Sequence, residues 1–183
     1  MHKPLFAIIL ALGLGSFATT HAQQAPTAAS PAPATINDAQ IAHIAYTAGQ
    51  IDIAAAQQAL QKSHNKDVRA FAEEMARDHA AVNQQALALV KKLGVTPENN
   101  PISESLSKHA ADELRKLAAL DGGAFDKAYV DNEVAYHKAV NAALSNTLIP
   151  SAQNAELKSL LQTGLTLFQE HQMHAEHLAQ QLH

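Results

Sequence analysis

The sequence predicts an all-α fold, an antiparallel four-helix bundle with a short extra helix before the third long one. Three observations carry that prediction. After Ile36, proline occurs only at positions 97, 101 and 150 and glycine only at 49, 94, 122, 123 and 164, so long stretches contain nothing that interrupts a helix. Apolar residues recur at steps of three and four, as in Leu157, Leu161, Gly164, Phe168, Ala175, Leu178 and Leu182, which is the spacing of one helix face. No stretch shows the period of two expected of a half-buried strand.

Start and stop signals delimit each element. The first helix spans residues 38–62, with Asn37 or Asp38 as N-cap, and the second spans 66–93, with Asn65 as N-cap and Gly94 as its stop. A proline-containing loop over 95–102 leads to a shorter helix that begins near Ser103 and is broken by "DGG" at 121–123. The third long helix then covers 124–148. The fourth covers 151–182, after Pro150, a residue suited to a helix's first position or the turn before it. Long helices joined by short loops pack as antiparallel neighbours.

The first 35 residues have a different character. Lys3 precedes the apolar run 5–17, and "THA" at 20–22 offers a small-residue cleavage site, so residues 1–22 read as a secretory signal cut after Ala22. The run is too short for the roughly 20 residues that span a bilayer, so the mature form has no integral membrane span. Residues 23–35, "QQAPTAASPAPAT", cannot bury an apolar face and read as an Ala/Pro-rich disordered linker. That leaves 36–183 as one helical domain, exported to the periplasm. The absence of cysteine excludes disulfides, thiolate metal sites and a lipid-modified cysteine.

Composition also bounds function. Lys and Arg number 13 against 17 Asp and Glu, without a basic cluster, which argues against nucleic acid as a partner. No nucleophile stands beside a base and no glycine-rich phosphate loop is present, so a hydrolase or nucleotide enzyme has no support. A homo-oligomer or an envelope partner is compatible with such a surface, and nothing in the sequence names one.

The chemical signal lies on the inward arcs. With each residue advanced by about 100°, Ile41, Ala45, Ala48, Ala55 and Ala59 centre on Asp52 in the first helix. Val68, Phe71, Met75 and Val82 share their stripe with His79, and the last helix carries His171 in its seam. In the third long helix Tyr129, Val130, Val140 and Leu144 flank Asp126, Glu133 and His137. An unpaired buried ion costs several kcal/mol, so these groups need partners. In one reading Asp52, His79, Asp126, Glu133, His137 and His171 are ligands of a divalent transition metal, Fe, Mn, Cu or Zn. In the other they form a hydrogen-bonded core network, with Asp52 or Asp126 accepting from an imidazole, inside a non-catalytic structural or stress-related interaction protein of the envelope. An oxidase is a third reading, opposed by the absence of the Glu-x-x-His spacing of dimetal carboxylate bundles: Glu133 with His137 and Glu170 with His174 are each one residue longer.

Nearby residues divide by angle. In "EHQMHAEH", residues 170–177, His174 lies at the flank of the seam, while Glu170 and His177 face outward; His174 and His177 are neighbours at i, i+3 that suit a weak surface metal. Asp78 stands at the edge of its arc, where it orients a partner's imidazole or meets water. Phe71, Phe125, Phe168 and Met75 read as core.

Three segments, "VRAFAEEMARDHAAVN" (68–83), "GGAFDKAYVDNEVAYH" (122–137) and "LFQEHQMHAEHL" (167–178), resemble the exported bacterial domain-of-unknown-function family 4142. Its Phe-Ala-x-x-Met-x-x-Asp-His motif matches Phe71, Ala72, Met75, Asp78 and His79. Its Phe-Asp-x-x-Tyr motif with a following His matches Phe125, Asp126, Tyr129 and His137, and His171 matches its late histidine. The resemblance implies a ferritin-like helical bundle in the periplasm or cell envelope with no settled activity. Asp52 stands where the family usually has Glu, and Glu133 where many relatives are apolar.

Overall fold

The structure, a computed structural model, describes residues 36–182. The expected signal and linker lie outside the described residues, as does His183. The described chain is all-α. Helix α1 spans Asp38–Lys62, opened by a capping box in which the Asn37 side chain accepts the Gln40 N–H and the Gln40 side chain accepts the Asn37 N–H. Helix α2 spans Lys66–Leu93, capped by Asn65 at its start and closed by Gly94, whose φ of 65° is left-handed. Both sets of boundaries are those read from the sequence.

Helix α3, Pro101–Ala118, begins slightly before the expected Ser103, because Asn100 accepts the N–H groups of Ile102 and Ser103 and Pro101 fits the first turn. Two contacts orient it. Asn100 Nδ2 donates to the Gln40 carbonyl at 3.4 Å near the start of α1, and Lys62 Nζ donates to the Ala118 carbonyl at 2.9 Å near its end. Helix α3 therefore lies along α1 in the same direction and returns the chain to the far end of the molecule. Helix α4, Gly122–Ala143, then runs back in the sense of α2.

The third long helix departs from expectation at its end. It was expected to continue to residue 148, but a π-helical turn, Leu144–Leu148, replaces the last turns, followed by the short α5, Ile149–Ser151. The Ile149 N–H reaches five residues back to the Leu144 carbonyl. Pro150 brings no N–H and its ring crowds the preceding turn, which accounts for the break in the regular ladder. The last helix, α6, spans Ala155–Gln181 rather than starting at 151. Asn154 caps it, and the Asp38 carboxylate receives the N–H groups of Gln153 and Asn154 at 2.8 and 2.9 Å.

Four long helices pack around one axis. Tyr136 on α4 donates to the Ala48 carbonyl on α1 at 2.7 Å, Asn141 on α4 donates to the Phe168 carbonyl on α6 at 3.2 Å, and Lys92 at the end of α2 pairs with Glu156 at the start of α6. Each neighbouring pair is antiparallel. The interior is layered along the axis. One apolar cluster holds Val68, Phe71, Met75, Phe125, Tyr129 and Leu178, and the other holds Ile41, Ile44, Leu148, Leu157, Leu161 and Phe168. Burying each such side chain is worth about 1.5–3 kcal/mol. Between the two clusters, every long helix contributes a polar residue. Among the described residues no helix is long and apolar enough to cross a membrane.

Candidate metal centre

That polar layer contains Asp52 from α1, His79 from α2, Glu133 and His137 from α4, and His171 from α6, none more than 2% exposed. The three imidazoles form a near-equilateral triangle, with ring centroids 5.7 Å apart for His79 and His137, 5.4 Å for His79 and His171, and 5.5 Å for His137 and His171. Each offers a nitrogen within 4.8 Å of the other two, and Asp52, Glu133 and His137 form a second such group. His137 joins them. Asp52 Oδ2 is 3.4 Å from His79 Nε2 and 3.6 Å from His137 Nε2. Donors about 2.1 Å from one ion at tetrahedral angles are about 3.4 Å apart, so this part of the layer already has ligand spacing.

Hydrogen bonds fix which nitrogens are bare. His137 Nδ1 donates to the Glu133 carbonyl at 3.0 Å, and His171 Nε2 donates to Asp78 Oδ2 at 3.1 Å. The remaining nitrogens, His137 Nε2 and His171 Nδ1, have no hydrogen-bond partner among the described residues, and neither do both His79 nitrogens, while the Asp52 oxygens and Glu133 Oε2 have none but each other's carboxyl. This is how proteins present imidazole to a metal, with one nitrogen held by an acceptor and the other free to coordinate. The electrostatics agree. Burial, reinforced by the neighbouring imidazoles, pushes the His79 pKa down to about 2, and burial pushes that of His137 down to about 4. His171 is lowered by burial against the opposing pull of Asp78. Burial raises Asp52 to about 7, and Glu133 stands well above its ordinary value through burial and then the Asp52 charge. The layer thus resists protonation of its imidazoles, and its two adjacent carboxyl groups compete for a proton.

Five of the six residues drawn from the inward arcs come together here. Asp126 is buried, with Oδ1 unpartnered, but it belongs to neither ligand group. Seven residues before Glu133, it shares the face of α4 but lies about 10 Å away along the axis. The wheel gives angle, not level. Sequence reasoning did not find Glu74, which with Asp78 and His171 makes a third, half-buried group. His174 bonds Glu74 through Nδ1 at 2.7 Å rather than pairing with His177, whose Nε2 meets Gln181. Only knowing that α2 faces α6 reveals that pair. Phe168, expected as core, stacks on His79 with centroids 4.5 Å apart.

A family described as a domain of unknown function (DUF4142) matches residues 22–178. The chain belongs to that family. No curated protein matches this DUF4142 member in sequence. Its fold is similar to the crystal structure of a DUF305 protein of Streptomyces coelicolor described as secreted, with a TM-score of 0.64 at 12% identity, covering 74% of this chain and 87% of that one. At that identity the likeness concerns the fold alone.

Proposed function

We propose that this DUF4142 protein is exported to the periplasm as a ferritin-like bundle and holds one divalent transition ion, Fe, Mn, Cu or Zn, in its polar layer. One observation carries the reading: three imidazoles and two carboxyls meet in a sealed interior with their coordinating atoms unpartnered outside the layer. An interior that leaves so many acceptors bare is unfavourable by itself, since each buried unsatisfied group costs about 1–3 kcal/mol. A cation offsets several of them at once, one atom on each residue that binds it. His79, His137, His171 and Asp52 are the ligands this reading assigns, with Glu133 beside them and Asp126 outside, and bound metal would supply Lewis-acid or redox chemistry there. A mixed imidazole and carboxylate set without sulfur suits these metals. The signal read over residues 1–22 supports export.

Metal analysis of protein purified without an affinity tag tests it. Wild type is expected to retain or take up close to one equivalent, and His79→Ala to lose it. A wild type that binds none of the four metals sinks the proposal. In that case the second reading stands, in which the layer only sets helix register; the bonds from His137 to the Glu133 carbonyl and from His171 to Asp78 favour it.

A further inference from the structure

The layer is closed to solvent, so an ion bound there needs a way in. Along one line between α2 and α6 the side chains grade from surface to interior. His174 is 44% exposed and Glu74 30%, bonded to each other; Asp78 is 18% exposed and His171 1%. Ligand atoms of Glu74, Asp78 and His171 lie within 4.8 Å of one another, and His171 also belongs to the buried imidazole group. It is the residue common to the two clusters, with Nε2 on Asp78 and Nδ1 unpartnered inside. The outer end is held in place, because the His174 ring meets Phe71 edge-on at 5.1 Å.

We propose that Glu74, Asp78 and His174 form an access port that captures a divalent transition metal ion at the surface and passes it through His171 to the buried layer. The proposal rests on the metal-binding reading above. Two carboxylates concentrate cations at the mouth, and the imidazole of His174 selects for transition ions over the hard cations that prefer oxygen alone. Arg77 occupies Asp78 through Nε at 2.7 Å and Nη2 at 3.1 Å. That clamp comes from an exposed side chain and gives way at little cost.

Cobalt(II) uptake, followed by visible absorbance after rapid mixing with the metal-free full chain, tests the port. The double variant Glu74→Gln, His174→Gln is expected to fill about tenfold more slowly than wild type. Its final stoichiometry and Kd should stay unchanged, since the port is on the path and not in the destination. The control variant Glu170→Gln, His177→Gln removes the same residue types from outward positions of α6 and should fill at the wild-type rate. Equal rates in wild type and the port variant overturn the port and leave the buried centre standing, as does equal slowing in the control. A wild type that takes up no cobalt overturns the port, and the metal analysis above decides the buried centre separately.

Discussion

His79 lies flat against Phe168, their rings 10° from parallel with centroids 4.5 Å apart, so this imidazole, the one of the layer's three with neither nitrogen hydrogen-bonded, is held by packing. Phe168 also helps wall an apolar cavity of about 150 Å³ shared with Val82, Val140, Leu161 and Gly164. Truncation there enlarges a space its neighbours already fail to fill. Phe168→Ala is therefore expected to cost about 3–5 kcal/mol in urea unfolding, with Phe168→Leu milder. A loss below about 1 kcal/mol would mean the ring does not anchor the layer.

Asp78 reaches the centre only through His171. Burial raises its pKa, yet the hydrogen bonds from Arg77 and His171 outweigh burial and hold it below the ordinary carboxylate value. Asp78→Ala removes the acceptor that fixes the His171 ring, so metal affinity should fall about 10–100-fold with the fold intact. Competition against a chelator measures it. An unchanged Kd would show that His171 is oriented without Asp78.

Helix α1 approaches α2 closely at Gly49, where a β-carbon would run into the Asn83 amide. Gly49→Ala should thus destabilise by about 1–3 kcal/mol although alanine is the better helix former. Adding Asn83→Ala is expected to recover part of that loss, because it clears the space. A double variant no better than additive would place the strain elsewhere.

How much of this was legible in the sequence follows from the range of each signal. Asn37, Asn65 and Gly94 are local caps, and α1 and α2 have the boundaries those caps announce. The start of α6 depends on Asp38 bonding the backbone more than a hundred residues away, a tie no local pattern contains. The π-helical turn follows from Pro150 acting backwards on a helix whose apolar spacing continued without interruption. In the site, Asp52, His79, Glu133, His137 and His171 were found because burial on one face is periodic. Asp126 was grouped with them because periodicity is blind to height, and Glu74 was passed over because its partner lies on a different helix.

The metal-free protein should show opposed pH effects from one cluster. Below pH 6.5 the unfolded chain binds protons that folded His79 refuses down to about 2 and folded His137 down to about 4, so their contribution to stability is lost as pH falls. Asp52 acts in the other sense. Between 3.8 and about 7 the folded protein keeps a proton that the unfolded carboxyl has released, so its contribution grows as pH falls and is lost as pH rises through 7. Glu133, raised by burial and then by the Asp52 charge, acts in the same sense as Asp52. Wild type stripped of metal should therefore lose little Tm between pH 6.5 and about 4 and drop below that, where Asp52 and His137 no longer discriminate and His79 still does. Asp52→Asn removes one opposing group and weakens the shift of Glu133, so its Tm should begin falling already near pH 6.5. Melting curves collected across that range in the presence of a chelator make the comparison, and parallel profiles for the two proteins would mean that Asp52 does not carry the raised pKa assigned to it.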